Sequence, residues 1–276
     1  MKQLSLGYSP CPNDTFIFYA LVHGKIDTGG HSFNEELLDV ETLNQKALNA
    51  ELDVTKISYA AYGRLRDNYT LLRSGGAVGR GCGPLIVAKR NYSLEQLRNR
   101  RIAIPGRLTT AFLLLRLYDP EFARFVEMPF HKIMDAVASE EVDAGLIIHE
   151  SRFTYPSYRL KKIMDLGEWW ERETGLPIPL GGIIARRSLG ESVIKQIGVL
   201  IKQSVEYAFS NPTVPMAYIK KHSQELSDDV INQHIDLYVN DFSIDLGEEG
   251  EKAVREFIKR AEDSGIIPKS HMPVFT

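Results

Sequence analysis

The chain has 276 residues, 43% of them hydrophobic and 25% charged, and its 33 basic and 36 acidic side chains leave a formal net charge of -3. That length supports one large domain or two modest ones with a continuous apolar core, which excludes a small disulfide-stapled scaffold. Near-balanced charge gives no basic field for a nucleic acid, and no apolar run nears the roughly 18 residues of a membrane span.

Gly7, Pro10, Pro12, Asn13 and Asp14 interrupt any signal-peptide core behind Lys2, and Cys11 and Cys82 are expected as free thiols in a reducing compartment. A cytoplasmic location follows as the expectation. Strand-like runs then alternate with amphipathic stretches, the pattern of an α/β fold with crossover helices. Leu4 to Tyr8 predicts a strand, after which Pro12-Asn13-Asp14-Thr15 supplies oxygens to cap a helix through Val22. The cycle repeats with a strand over Ser32 to Leu38, a helix over Glu41 to Ala50, a strand over Val54 to Ile57 and a short helix opened by Ser58. A second series begins with a strand at Arg101 to Ile104, a helix near Thr109, a strand over Phe125 to Met128, a helix from Lys132 and a strand over Ala144 to Ile148.

Two similar segments, Gly83 to Arg90 and Gly181 to Arg187, each run from glycine through apolar residues to a basic pair, and are expected as paired crossover strands. They divide the chain into a discontinuous first lobe, 1-88 with 182-276, and a second lobe, 89-181. Beyond Glu191 the chain reads as helical, with Val193, Ile194, Ile197, Leu200, Ile201 and Val205 on one face and Val254, Phe257, Ile258 and Ala261 on another. Both stripes are expected in the core.

Ligands of open α/β sheets collect where strands end and helix N-termini expose N–H groups. Four such ends carry suitable chemistry: the stiff turn around Asn13 and Asp14, Lys56-Ile57-Ser58, Gly106 to Ala111 with Thr109 and Thr110 at a helix cap, and the strand leading to His149-Glu150. His149 is the candidate base, because imidazole titrates near neutrality. Glu150 is a doubtful partner for it, since neighbours on an extended strand point to opposite faces. No second histidine completes a zinc-protease motif, His23, His31, His131, His222, His234 and His271 are dispersed, and no metal is expected. Gly79 to Gly83 ends in Pro84 and reads as a flexible link, not a nucleotide loop. Cys11 and Cys82 lack flanking groups that would activate a thiolate.

Taken together, Ser9-Pro10-Cys11-Pro12-Asn13-Asp14-Thr15-Phe16, Ile57-Ser58-Tyr59, Gly106 to Ala111 and Ile147-Ile148-His149-Glu150 resemble the 1,4-dihydroxy-6-naphthoate synthases of the futalosine route to menaquinone. The likeness runs in order along the whole chain and includes Asp165 to Trp170 and Leu176 to Gly182. It implies a two-lobed fold like the type II periplasmic binding proteins, with two crossover strands and an interlobe cleft. It also implies a cofactor-free carbon–carbon lyase acting on cyclic dehypoxanthinylfutalosine, with His149 as base and Lys56, Ile57, Ser58, Thr110 and Ala111 as ligand contacts. Thr109, Asn13 and Asp14 complete the expected binding set. The hinges are expected near Lys89 and Arg186. The expected partner is a small carboxylate, with no nucleic acid and no membrane, for a monomer or homodimer. The competing expectations are a non-catalytic cytoplasmic carboxylate-binding module and a chorismate dehydratase-like enzyme.

Overall fold

A computed structural model describes residues 2–224 and 227–275. Its strands are β1 (Lys2–Tyr8), β2 (His31–Leu37), β3 (Val54–Ser58), β4 (Tyr69–Leu71), β5 (Ala77–Gly79), β6 (Leu85–Ala88), β7 (Ile102–Ile104), β8 (Phe125–Glu127), β9 (Ala144–Ile147), β10 (Lys161–Asp165) and β11 (Ile178–Arg186). They form two sheets. The first runs β2-β1-β3-β11-β4 with β5 also on β11, and the second runs β10-β6-β9-β7-β8.

Each sheet has a parallel part and strands of the opposite direction. β1 is parallel to β2 and β3, whereas β11 is antiparallel to β3, β4 and β5. In the second sheet β7 is parallel to β8 and β9, and β6 is antiparallel to β9 and β10. β3 is buried along its whole length, as a strand covered on both faces must be. The polar edge strand β2 alternates between half-buried and exposed positions at its start.

The look-alike segments do not pair with each other: β6 and β11 lie in different sheets. By sheet membership the chain crosses to the second lobe between Gly79 and Leu85 and returns between Asp165 and Ile178. Both crossings come a few residues earlier than the boundaries expected at 88/89 and 181/182. The backbones meet there at Gly83 and Gly167, where a Cβ on Gly83 would stand 2.3 Å from the Gly167 Cα. Lys89 and Arg186 are not at these crossings. Lys89 pairs with Glu140 inside the second lobe, and Arg186 donates to the Ala50 carbonyl inside the first.

Helix Pro12–Val22 is buried almost all round, because helices Glu191–Ser210, Met216–His222 and Asp228–Tyr238 cover it. Its cap differs from the expectation. Pro12 takes the first helical position, so Cys11 is the N-cap and has no side-chain cap bond, and Asn13 and Asp14 fall inside the first turn. Helix Glu191–Ser210 buries Ile194, Ile197, Leu200, Ile201 and Val205, with Val193 only half-buried. Helix Gly247–Asp263 buries Val254, Phe257, Ile258 and Ala261. Among the described residues no helix is long and apolar enough to cross a membrane.

Candidate active site

A cleft of about 660 Å³, counted with the open space at its mouth, gathers residues from all four strand ends, although Gly106 and Glu150 do not line it. Asn13, Asp14, Lys56, Ile57 and Ser58 come from the first lobe, and Thr109, Thr110, Ala111 and His149 from the second. Val40, Cys82, Pro84, Leu180, His234 and Tyr238 also line it.

The first-lobe wall is a chain of satisfied polar groups. The Asp14 carboxylate accepts from the Ser9 N–H at 3.2 Å, the Ser9 hydroxyl at 2.7 Å and the Asn13 amide at 3.0 Å, and pairs with Lys56 Nζ at 3.0 Å. Lys56 also donates to the Gly75 carbonyl at 2.8 Å. Because the Asn13 Nδ2 donates to Asp14, its Oδ1 is left to accept from His234 Nε2 at 2.9 Å. That fixes the proton of His234 on Nε2 and leaves Nδ1 as a lone pair, buried without a hydrogen-bond partner. Burial and, secondarily, the neighbouring His149 hold the His234 pKa well below its usual range, so the ring stays neutral. Ser58 accepts from the Asn44 Nδ2 at 3.3 Å through its hydroxyl, and its N–H donates to the Asn44 Oδ1 at 2.9 Å. Its hydroxyl proton is thereby left for a ligand.

The second-lobe wall is less committed. Thr109 caps helix Thr110–Tyr118 by accepting from the Phe112 N–H at 3.2 Å, and donates to the Gly106 carbonyl at 2.7 Å. Thr110 donates to the Leu180 carbonyl at 2.6 Å and accepts from the Ala60 N–H at 3.3 Å, so it ties the lobes together. What these residues keep for a ligand is backbone: among the described residues, no hydrogen bond uses the N–H of Thr110 or Ala111. Across the same mouth the Glu41 carboxylate accepts from the Leu108 N–H at 3.2 Å. Gly106 permits this approach, since a Cβ there would lie 2.4 Å from the Glu41 carboxyl carbon.

His149 sits just past β9, half-buried, with φ at 56°, and its ring lies 4.9 Å from that of Phe130 and 6.0 Å, nearly parallel, from that of His234. No hydrogen bond holds either of its ring nitrogens among the described residues. The alternation argument against Glu150 does not apply, because the strand ends at Ile147 and the left-handed turn at His149 redirects the chain. Donor atoms of Cys11, His149 and Glu150 all lie within 4.8 Å of one another. Glu150 Oε2 is also 3.7 Å from His234 Nδ1.

His149, Glu150, Cys11 and His234 thus converge from three distant stretches of sequence. Neither thiol is activated: burial drives the Cys11 pKa well above its ordinary value, and burial pushes Cys82 up to about 12. Arg152 supports the His149 turn from behind, donating to the Gly83 carbonyl at 2.6 Å and to the Asp165 carboxylate at 2.7 Å.

Two α/β lobes closing on one cleft define the periplasmic-binding-protein-like class. At the level of fold alone, a Candida albicans protein described as having the generic periplasmic binding protein fold matches at TM-score 0.71 and 15% identity, covering 98% of this chain and 92% of its own. A crystal structure from Archaeoglobus fulgidus matches at TM-score 0.91 and 42% identity, over 96% of this chain and 98% of that one. A family model described as menaquinone biosynthesis matches residues 4–263. A Thermus thermophilus relative named 1,4-dihydroxy-6-naphthoate synthase is 53% identical over all of both chains. A Streptomyces coelicolor relative of the same name is 46% identical over 96% of this chain and 95% of its own. The chain belongs to the menaquinone-biosynthesis family, grouping with its 1,4-dihydroxy-6-naphthoate synthases, and is an enzyme of the lyase class.

Proposed function

We propose that the chain converts cyclic dehypoxanthinylfutalosine to 1,4-dihydroxy-6-naphthoate, with His149 as the general base. One observation carries the assignment of the base: an imidazole with no hydrogen bond of its own stands at the cleft, beside a buried histidine that is held neutral. Removal of a substrate proton by His149 starts cleavage of a carbon–carbon bond, and aromatisation of the new ring supplies driving force. The cleft has to position and desolvate the substrate. Ile57, Leu180, Val40 and Ala111 offer an apolar surface to a fused ring, while the Ser58 hydroxyl and the free N–H groups of Thr110 and Ala111 suit its carboxylate. A proton gained by His149 is met by the Glu150 carboxyl close by and by no second imidazolium.

The test is His149→Ala assayed on the cyclised substrate. Turnover should fall by roughly 100-fold or more while ligand binding persists. Turnover at the wild-type level would remove His149 from the mechanism.

A further inference from the structure

We infer that Cys11, His149 and Glu150 form a binding site for a thiophilic divalent cation of the zinc type, and that such an ion and the proposed reaction compete for His149. The three side chains bring one sulfur, one nitrogen and one oxygen to within 4.8 Å of one another. Tetrahedral zinc spaces such donors at roughly 3.3 to 3.6 Å, so side-chain rotations of about 1 Å close the site. His149 needs to release no existing hydrogen bond to do so, and it opens the cluster to the cleft.

Two further features favour a cation. First, the charges balance: a Cys11 thiolate and a Glu150 carboxylate neutralise a divalent ion, while His149 contributes as a neutral ligand. The nearby ammonium of Lys56 is already neutralised by Asp14 at 3.0 Å and so does not repel it. Second, a protein ligand set of three leaves the fourth position for water, and a buried acceptor is waiting for that water. His234 Nδ1 is in a ring only 1% exposed, has no hydrogen-bond partner, and lies 3.7 Å from Glu150 Oε2. A metal-bound water donates where no donor now reaches.

Binding forms a metal–sulfur bond, and the Cys11 thiol proton leaves to the buffer. Sulfur and imidazole together select zinc-like ions over magnesium or calcium. An ion held there occupies the lone pair of His149 and expels the base from the reaction, so the site is inhibitory.

The experiment titrates Co²⁺, a spectroscopic substitute for Zn²⁺, into chelator-treated full-length protein. The expected result is one equivalent bound with an intense near-ultraviolet thiolate-to-cobalt band, removed by added Zn²⁺. Cys11→Ser should abolish the band and weaken Zn²⁺ binding by roughly 100-fold or more, whereas Cys82→Ser should keep both. Glu150→Gln should keep the band and weaken binding, which preserves the test if Cys11→Ser does not fold. A wild-type protein without the band, a band surviving in folded Cys11→Ser, or Glu150→Gln binding with wild-type affinity would overturn the site. None of these readings depends on the substrate, so failure of the lyase proposal and failure of this one are told apart.

Discussion

On the first-lobe wall of the cleft Asp14, Lys56, Asn13 and His234 form one continuous chain of buried contacts, whereas on the second-lobe wall His149 stands in a left-handed turn with its ring nitrogens uncommitted. Both walls face the same ligand space, yet only one is locked before a ligand arrives. The difference separates two tasks: the locked wall defines the shape of the site, and the open wall keeps the groups that must change partners during a reaction.

The comparison is broken most severely by Lys56→Met, which strands the buried Asp14 carboxylate. Denaturant unfolding should show a loss of about 3 to 5 kcal/mol, larger than for any single change on the opposite wall. A smaller effect tests the turn itself. His149→Gly and His149→Ala should both lose turnover, but thermal unfolding should find the glycine variant more stable by about 1 kcal/mol, because φ at 56° strains any side chain.

Thr110→Val removes the interlobe bond to the Leu180 carbonyl and should cost about 1 kcal/mol in unfolding while leaving the N–H donors in place. Smallest is Glu41→Gln, which sharpens the contrast by pH. Burial raises the Glu41 pKa above its usual range, so the folded state holds that proton more tightly than the unfolded one. Stability from this group is therefore present at low pH and lost as pH rises through the raised value. The advantage of the glutamine variant should grow as pH rises above the ordinary carboxylate range, reaching a melting-point gain of about 2 °C or less. A difference that does not change with pH would show that burial does not hold the Glu41 proton.

The locked wall was only partly legible from sequence. Side-chain types at strand ends pointed to Asn13, Asp14, Lys56 and Ser58, but the full burial of β3 was not readable, because Thr55, Lys56 and Ser58 interrupt its apolar residues. The roles of Asn13 and Asp14 were not: Pro12 shifts the start of the helix, which turns these side chains from capping toward Lys56 and His234. His234 itself gave no signal, because its meaning depends on a helix packed against Pro12–Val22 from far along the chain. The reason given for doubting Glu150 fails, because a period of two was carried three residues past the end of β9 at Ile147. The short strands β4 and β5 carry too few residues to show any period, and they are held by β11, which arrives only after the second lobe.

That late arrival has a consequence for how the chain is made. β11 lies between β3 and β4, so the outer unit is missing an interior strand until residue 186 has left the ribosome, whereas the strands of the inner unit all lie between 85 and 165. The later-starting lobe is thus the first that can finish, and the opening stretch of the polypeptide must wait, unpaired along one side of β3, for its completion. A chain stopped shortly after Asp165 should resist brief proteolysis across its inner unit and be cut freely in its first eighty or so residues.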